Sequence, residues 1–122
     1  MSYLSRVGIK CEEKAFELLK DAYKKVSLVP DKVLKEEEYY ILYWDWTNWS
    51  SPYECVAPIV RVLDTLDEKQ KEADSEGMVG YGYKFIRLGE EICDIEERDN
   101  GSEIEFITSR RIVLPEIEEI VA

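Results

Sequence analysis

The chain has 122 residues, 45% hydrophobic and 11% aromatic, which matches the size of one domain and furnishes one contiguous core. Acidic residues outnumber basic ones 27 to 16, and the formal charge of −11 disfavours direct contact with a nucleic-acid backbone while steering the molecule toward basic protein surfaces. No histidine is present, so neither a Ser-His nor a Cys-His nucleophile pair can form, and a non-enzymatic, cofactor-free protein is expected.

Along the chain, Val7 and Ile9 alternate with Arg6, Gly8 and Lys10 and predict a short first strand. From Glu12 to Val26 the apolar residues Ala15, Phe16, Leu19, Ala22, Tyr23 and Val26 recur at helical spacing, with acids in the first turn and lysines in the last. After the Pro30-Asp31 turn signal, Glu38 to Trp46 reads as a strand. Both of its faces are apolar, Tyr39, Ile41 and Tyr43 on one and Tyr40, Leu42 and Trp44 on the other, which places it inside a sheet. Ser51-Pro52-Tyr53-Glu54 is a capping box with proline at the first helical position, predicting a second helix with a core face of Val56, Ile59, Val60, Leu63 and Leu66. Pro58 predicts an irregular first turn, and the polar run from Asp67 to Gly77 predicts the helix's end.

Val79 to Leu88 alternates again, with Tyr81, Tyr83 and Phe85 on one face and room for a close neighbour at Gly80 or Gly82. Asp99-Asn100-Gly101-Ser102 is the strongest turn signal. If Asn100 and Gly101 form the loop, Ile95, Ile104 and Phe106 face the core and Asp94, Glu96, Glu103 and Glu105 project together on the other side. Residues 115–122 form a possible C-terminal arm carrying Ile117 and Ile120. The expectation is a single α+β domain over residues 1–122, of order βαβαβββ, with a mostly antiparallel sheet and two helices packed on one face.

Candidate binding residues follow from this arrangement. Asp94, Glu96, Glu103 and Glu105 make a carboxylate ladder suited to lysine and arginine on a partner, although a solvated face of an acidic protein has the same pattern. Trp46 and Trp49, flanked by Asp45, Thr47 and Asn48, are the candidates for exposed aromatic anchors. Alternatively, the aromatic block with Arg61, Arg87, Arg110 or Arg111 lines a pocket for a nucleotide signalling molecule, or the domain is a structural homo-oligomer joined through its tail. Cys11, Cys55 and Cys93 are odd in number and outside metal-ligand spacing, so neither a disulfide framework nor a metal site is expected. The lack of an apolar membrane-spanning or signal segment predicts a cytoplasmic location without membrane contact.

At PDKVLKEEEYYILYWDWTNWSSPYE, Pro30 to Glu54, and YGYKFIRLGEEICDIEE, Tyr81 to Glu97, the chain resembles short acidic proteins carried by phages and prophages of Gram-positive bacteria. The resemblance implies anti-defence inhibition in the host cytoplasm, by binding a host protein with a basic surface. It transfers no catalytic activity and no site residues.

Overall fold

A computed structural model of the protein describes residues 4–49, 56–76, 80–91, 93–100 and 119–120. The elements in chain order are β1 (Ser5–Glu12), α1 (Glu13–Lys25), β2 (Lys32–Glu36), β3 (Tyr39–Thr47), α2 (Ala57–Glu76), β4 (Tyr83–Gly89) and β5 (Ile95–Asp99). The strands form one antiparallel sheet in the spatial order β2-β3-β1-β4-β5. The protein is therefore an α+β domain, and the described order is βαββαββ. The additional early strand is β2, and residues beyond Asn100 that were expected to complete a last hairpin lie outside the described part, apart from Glu119 and Ile120.

α1 forms because one stripe of its surface is apolar. Ala15, Phe16, Leu19, Ala22 and Tyr23 are buried, while Glu13, Glu17 and Lys24 are exposed. Its C-terminus closes with Leu28 N–H donating to Tyr23 C=O at 3.0 Å and Ser27 N–H to Lys24 C=O at 3.3 Å, with Ser27 in the left-handed region at φ 58°. This is the usual helix stop, made here with serine where glycine is favoured.

β1 is the middle strand and longer than the alternation of Val7 and Ile9 alone suggests. Val7, Ile9 and Cys11 point at the helices beside Trp44 and Leu42 of β3 and Phe85 and Tyr83 of β4. Phe16 stacks on Tyr40 with ring centroids 4.2 Å apart, and Tyr23 meets the edge of Trp44 at 6.4 Å, so α1 covers this side. α2 adds Ile59, Leu63 and Leu66 to the same core, so both helices lie on one face. Burying a side chain of this size contributes about 1.5–3 kcal/mol. Burying the indole N–H of Trp44 requires a partner, and it donates to Leu28 C=O at 3.0 Å.

β3 lies between β2 and β1, as its two apolar faces predict. On the side away from the helices, Leu34, Ile41, Tyr43, Ile86 and Leu88 are also buried. α2 corrects the expected helix end: it continues through the polar run to Glu76, because that run is made of good helix formers and keeps Gln70 buried on the core side. Pro58 is the second residue of α2, in the first turn where an N–H lacks a helical partner anyway. Ile120 packs against the core and donates its N–H to Val33 C=O at 2.8 Å, so this part of the tail is engaged by its own chain; Ile117 lies outside the described residues.

Candidate functional site

The expected carboxylate ladder is divided by the fold. Glu103 and Glu105 lie outside the described residues. Asp94 and Glu96 are ion-paired within the domain: Arg87 donates from Nη2 to Asp94 Oδ1 at 2.7 Å, from Nη1 to Asp94 Oδ2 at 3.1 Å and from Nε to Glu96 Oε1 at 2.9 Å. A further bond from Nη1 reaches the buried Ser5 Oγ at 3.1 Å. The bond to Asp94 outweighs the effect of burial and, with Glu96, raises the Arg87 pKa further above its already basic range. The register explains the pairing, since Arg87 stands directly opposite Glu96. The same register corrects the expected orientation of Ile95, which sits opposite Leu88 on the side away from the helices and is 45% exposed.

A second arginine joins β5 to α2. Arg98 Nη2 lies 2.5 Å from Asp64 Oδ1 and 2.7 Å from Asp67 Oδ2, and Asp67 Oδ1 accepts from the Tyr83 hydroxyl at 2.8 Å. Burial disfavours the charge on Arg98, but the bonds from Asp67 and Asp64 outweigh it and its pKa rises. Burial and the bond to Asp67 push the Tyr83 phenol upward as well. Between the two arginines is a cleft of about 80 Å³ lined by Trp49, Val60, Leu63, Phe85 and Glu96 as well. Ligand pockets for drug-sized molecules are roughly 300–1,000 Å³, so this cleft is too small for a nucleotide. Arg61 is exposed on α2 and does not line it, and Arg110 and Arg111 lie outside the described residues. Trp49 is 8% exposed, 5.1 Å from Trp44 and 6.0 Å from Phe85 between ring centroids, and so belongs to the core instead of the expected contact surface.

Trp46 is different. In the β1–β3 pairing, Val7 faces Trp44 and Ser5 faces Thr47, so two residues of β3, Asp45 and Trp46, oppose the single residue Arg6. Such a bulge re-aims a side chain. Without it, Trp46 would share the face of Leu42 and Trp44 and point into the core. With it, the indole emerges on the opposite face, 44% exposed, at φ 46°. Left-handed backbone is a genuine outlier for so bulky a residue and costs about 1–2 kcal/mol.

Around Trp46 is a groove of about 400 Å³ lined by Arg6, Leu88, Gly89, Glu90, Glu91, Asp94 and Ile95. The Arg6 guanidinium lies over the indole, 4.9 Å from its centroid, and Arg6 Nε is 3.5 Å from Asp45 Oδ1. Asp45 is held in turn by the Tyr43 hydroxyl at 2.8 Å, while its own N–H donates to Asp31 Oδ2 at 2.7 Å. Burial, together with the bond to Asp45, pushes the Tyr43 phenol up to about 12. The groove thus combines two exposed apolar side chains, Trp46 and Ile95, with the exposed acids Glu90 and Glu91. Sequence reasoning found Trp46 from its polar neighbours but missed Ile95, Arg6 and Leu88, which the chain brings together only through strand pairing.

Other chemically suggestive groups are structural. The Glu12 carboxylate accepts from the backbone N–H groups of Gly80 at 2.8 Å and Gly82 at 3.0 Å, tying the start of α1 to the entry of β4. Gly80 has φ 129°, and a Cβ there would lie 2.8 Å from Lys14 Cδ, so this position requires glycine. Burial and the neighbouring Glu12 push the Cys11 thiol far upward, which makes it unreactive. Among the described residues no group of acids and cysteines is placed to hold a metal, and no helix is long and apolar enough to cross a membrane. No family model matches the chain, and no curated protein or solved structure matches it either.

Proposed function

We propose that this domain acts by binding another protein, through the groove around Trp46, with no chemistry of its own. The observation that carries this reading is the bulged backbone of Trp46, which lifts an indole out of the core at an energetic cost and leaves it exposed beside Ile95. Strain of this kind clusters at functional positions, and tryptophan is enriched among residues that dominate interfaces. The acids Glu90 and Glu91 at the groove and the net charge of −11 suit a partner with a basic surface. Relative to the ladder expected from β5, the contact surface moves across the sheet: Asp94 and Glu96 support it through Arg87, and Trp46, Ile95 and Glu90 meet the partner.

The phage-type resemblance directs the search for that partner to host proteins of defence or nucleic-acid handling, whose basic grooves an acidic protein blocks by occupation. The test is affinity capture from a Gram-positive host lysate at low and high salt, with wild-type protein and Trp46→Ala side by side. A basic host protein retained by the wild type at low salt, released by salt and lost with Trp46→Ala is the expected result. Equal retention by the two proteins overturns the assignment of this surface.

A further inference from the structure

We infer that the groove beside Trp46 is a seat for an arginine side chain of the partner, and that Arg6 occupies this guanidinium position in the free protein. This rests on the protein-binding reading above and names the chemical group that is recognised. Three observations lead to it.

The first is that the site already holds a guanidinium. The Arg6 guanidinium lies over the exposed indole with its Cζ 4.9 Å from the ring centroid, the arrangement in which a cation is drawn to the electron-rich face of tryptophan. The second is that this internal occupant is incompletely bound. Its Nε is buried without a hydrogen bond, and the nearest oxygen of Asp45, which also accepts from Tyr43 at 2.8 Å, lies 3.5 Å away and gives an ion pair only. A buried donor without an acceptor weakens the hold on the group that carries it. The third is the chemistry of the surrounding groove. Its volume of about 400 Å³ accommodates a side chain, Leu88 and Ile95 offer apolar walls for an aliphatic stem, and the exposed Glu90 supplies a carboxylate at the rim. An arginine is the side chain that uses all of these at once: its stem packs on apolar surface, its plane stacks on an aromatic ring, and its fork of donors fits a carboxylate. A lysine presents the same charge as a compact, strongly hydrated ammonium and gains less from the indole face.

A partner's arginine therefore enters by displacing Arg6 from the ring. Arg6 keeps the exposed indole covered until the partner arrives, which limits self-association through a bare tryptophan. Once displaced, Arg6 remains next to Asp45 and turns toward solvent.

The experiment uses the full chain and two short capped peptides of equal length and charge, one alternating arginine with glycine and the other lysine with glycine. Binding is measured by calorimetry, and by protection of Trp46 from acrylamide quenching. The other two tryptophans, Trp44 and Trp49, are buried and contribute little to that signal. The expected result is that the arginine peptide binds about fivefold more tightly than the lysine peptide and shields the exposed indole. Arg6→Ala is expected to tighten arginine-peptide binding by about three- to fivefold, because the internal competitor is gone. Trp46→Gly, which relieves the left-handed backbone and so remains folded, is expected to abolish the preference for arginine. Equal affinity for the two peptides, unchanged or weaker binding by Arg6→Ala, or a preference that survives Trp46→Gly each overturns the inference. Should the peptides bind equally while capture of a host protein still depends on Trp46, the guanidinium assignment fails and the protein-binding reading stands.

Discussion

The two faces of the β4–β5 edge use the same acidic sequence in opposite ways. On the helix-facing side, Arg87 pairs with Asp94 and Glu96 and clamps β5 to β4, while Arg98 pairs with Asp64 and Asp67 and ties β5 to α2. On the other side, Trp46 and Ile95 stand exposed near Glu90 and Glu91, and the backbone of Trp46 is strained to keep the indole there. A high density of acids is thus a poor marker of a contact surface in a chain of charge −11. An apolar side chain held outside the core against its own backbone preference is a better one.

Arg98→Ala leaves the half-buried Asp67, together with the exposed Asp64, without its counter-charge and is expected to destabilise the fold by about 2 kcal/mol, read as a lower urea midpoint with an unchanged slope. A loss within about 0.5 kcal/mol, the range of ordinary surface substitutions, would show that this side is no more structural than any other.

At Trp46 the two effects of one substitution should have opposite signs. Trp46→Gly is expected to weaken partner capture by tenfold or more, a loss of about 1.4 kcal/mol or greater, while raising stability by about 1 kcal/mol through relief of the left-handed backbone. Ser27→Gly and Glu37→Gly are the controls, since Ser27 at φ 58° and Glu37 at φ 55° are strained only by turn geometry. Each should stabilise by about 0.5–1 kcal/mol in thermal denaturation and leave capture untouched.

Neutralising the acids separates the faces further. Asp94→Asn with Glu96→Gln is expected to cost about 1 kcal/mol of stability through Arg87. Glu90→Gln should instead leave stability within about 0.5 kcal/mol of wild type and reduce the salt dependence of capture. The reverse pattern would restore β5 as the contact surface.

The smallest effect concerns pH. The Tyr43 phenol is raised from its ordinary value of 10 to about 12 by burial and by its bond to Asp45, so the fold favours the neutral form. That contribution is complete below pH 10 and disappears as pH rises toward 12. Thermal melts across this window should show a progressive loss that Tyr43→Phe reduces, although Tyr83, raised as well, keeps part of it.

Much of the fold is legible from periodicity alone. The helix predicted from Glu12 to Val26 matches α1 with those two residues as its caps, and the two-sided apolar run beginning near Tyr39 is an interior strand. β2 escaped because its bend to β3, at Glu37 and Glu38, uses residues that do not signal a two-residue turn, and the positive φ at Glu37 is imposed by strand pairing. The strongest turn signal conceals a different use of its asparagine. The Asn100 side chain donates to Tyr81 C=O at 2.7 Å and accepts from Tyr83 N–H at 3.1 Å, bracing the start of β4. At the candidate site, exposure of Trp46 was suggested by Asp45 and Thr47, whereas the same local polarity pointed the wrong way for Trp49.

What the sequence by itself determined is everything that depends on neighbours along the chain: the apolar stripe of α1, the alternation of β1 and β4, the two-sided character of β3, and a net charge suited to basic partners. Only the tertiary structure decided which face each critical side chain occupies. Period-two alternation carries no record of an inserted residue, so the bulge opposite Arg6 that turns Trp46 outward exists only once β1 and β3 are paired. In the same way, Asp94 and the still exposed Glu96 are ion-paired within the domain because the register sets Glu96 opposite Arg87 with Asp94 close by, and a carboxylate within reach of a partly buried guanidinium is held by the fold.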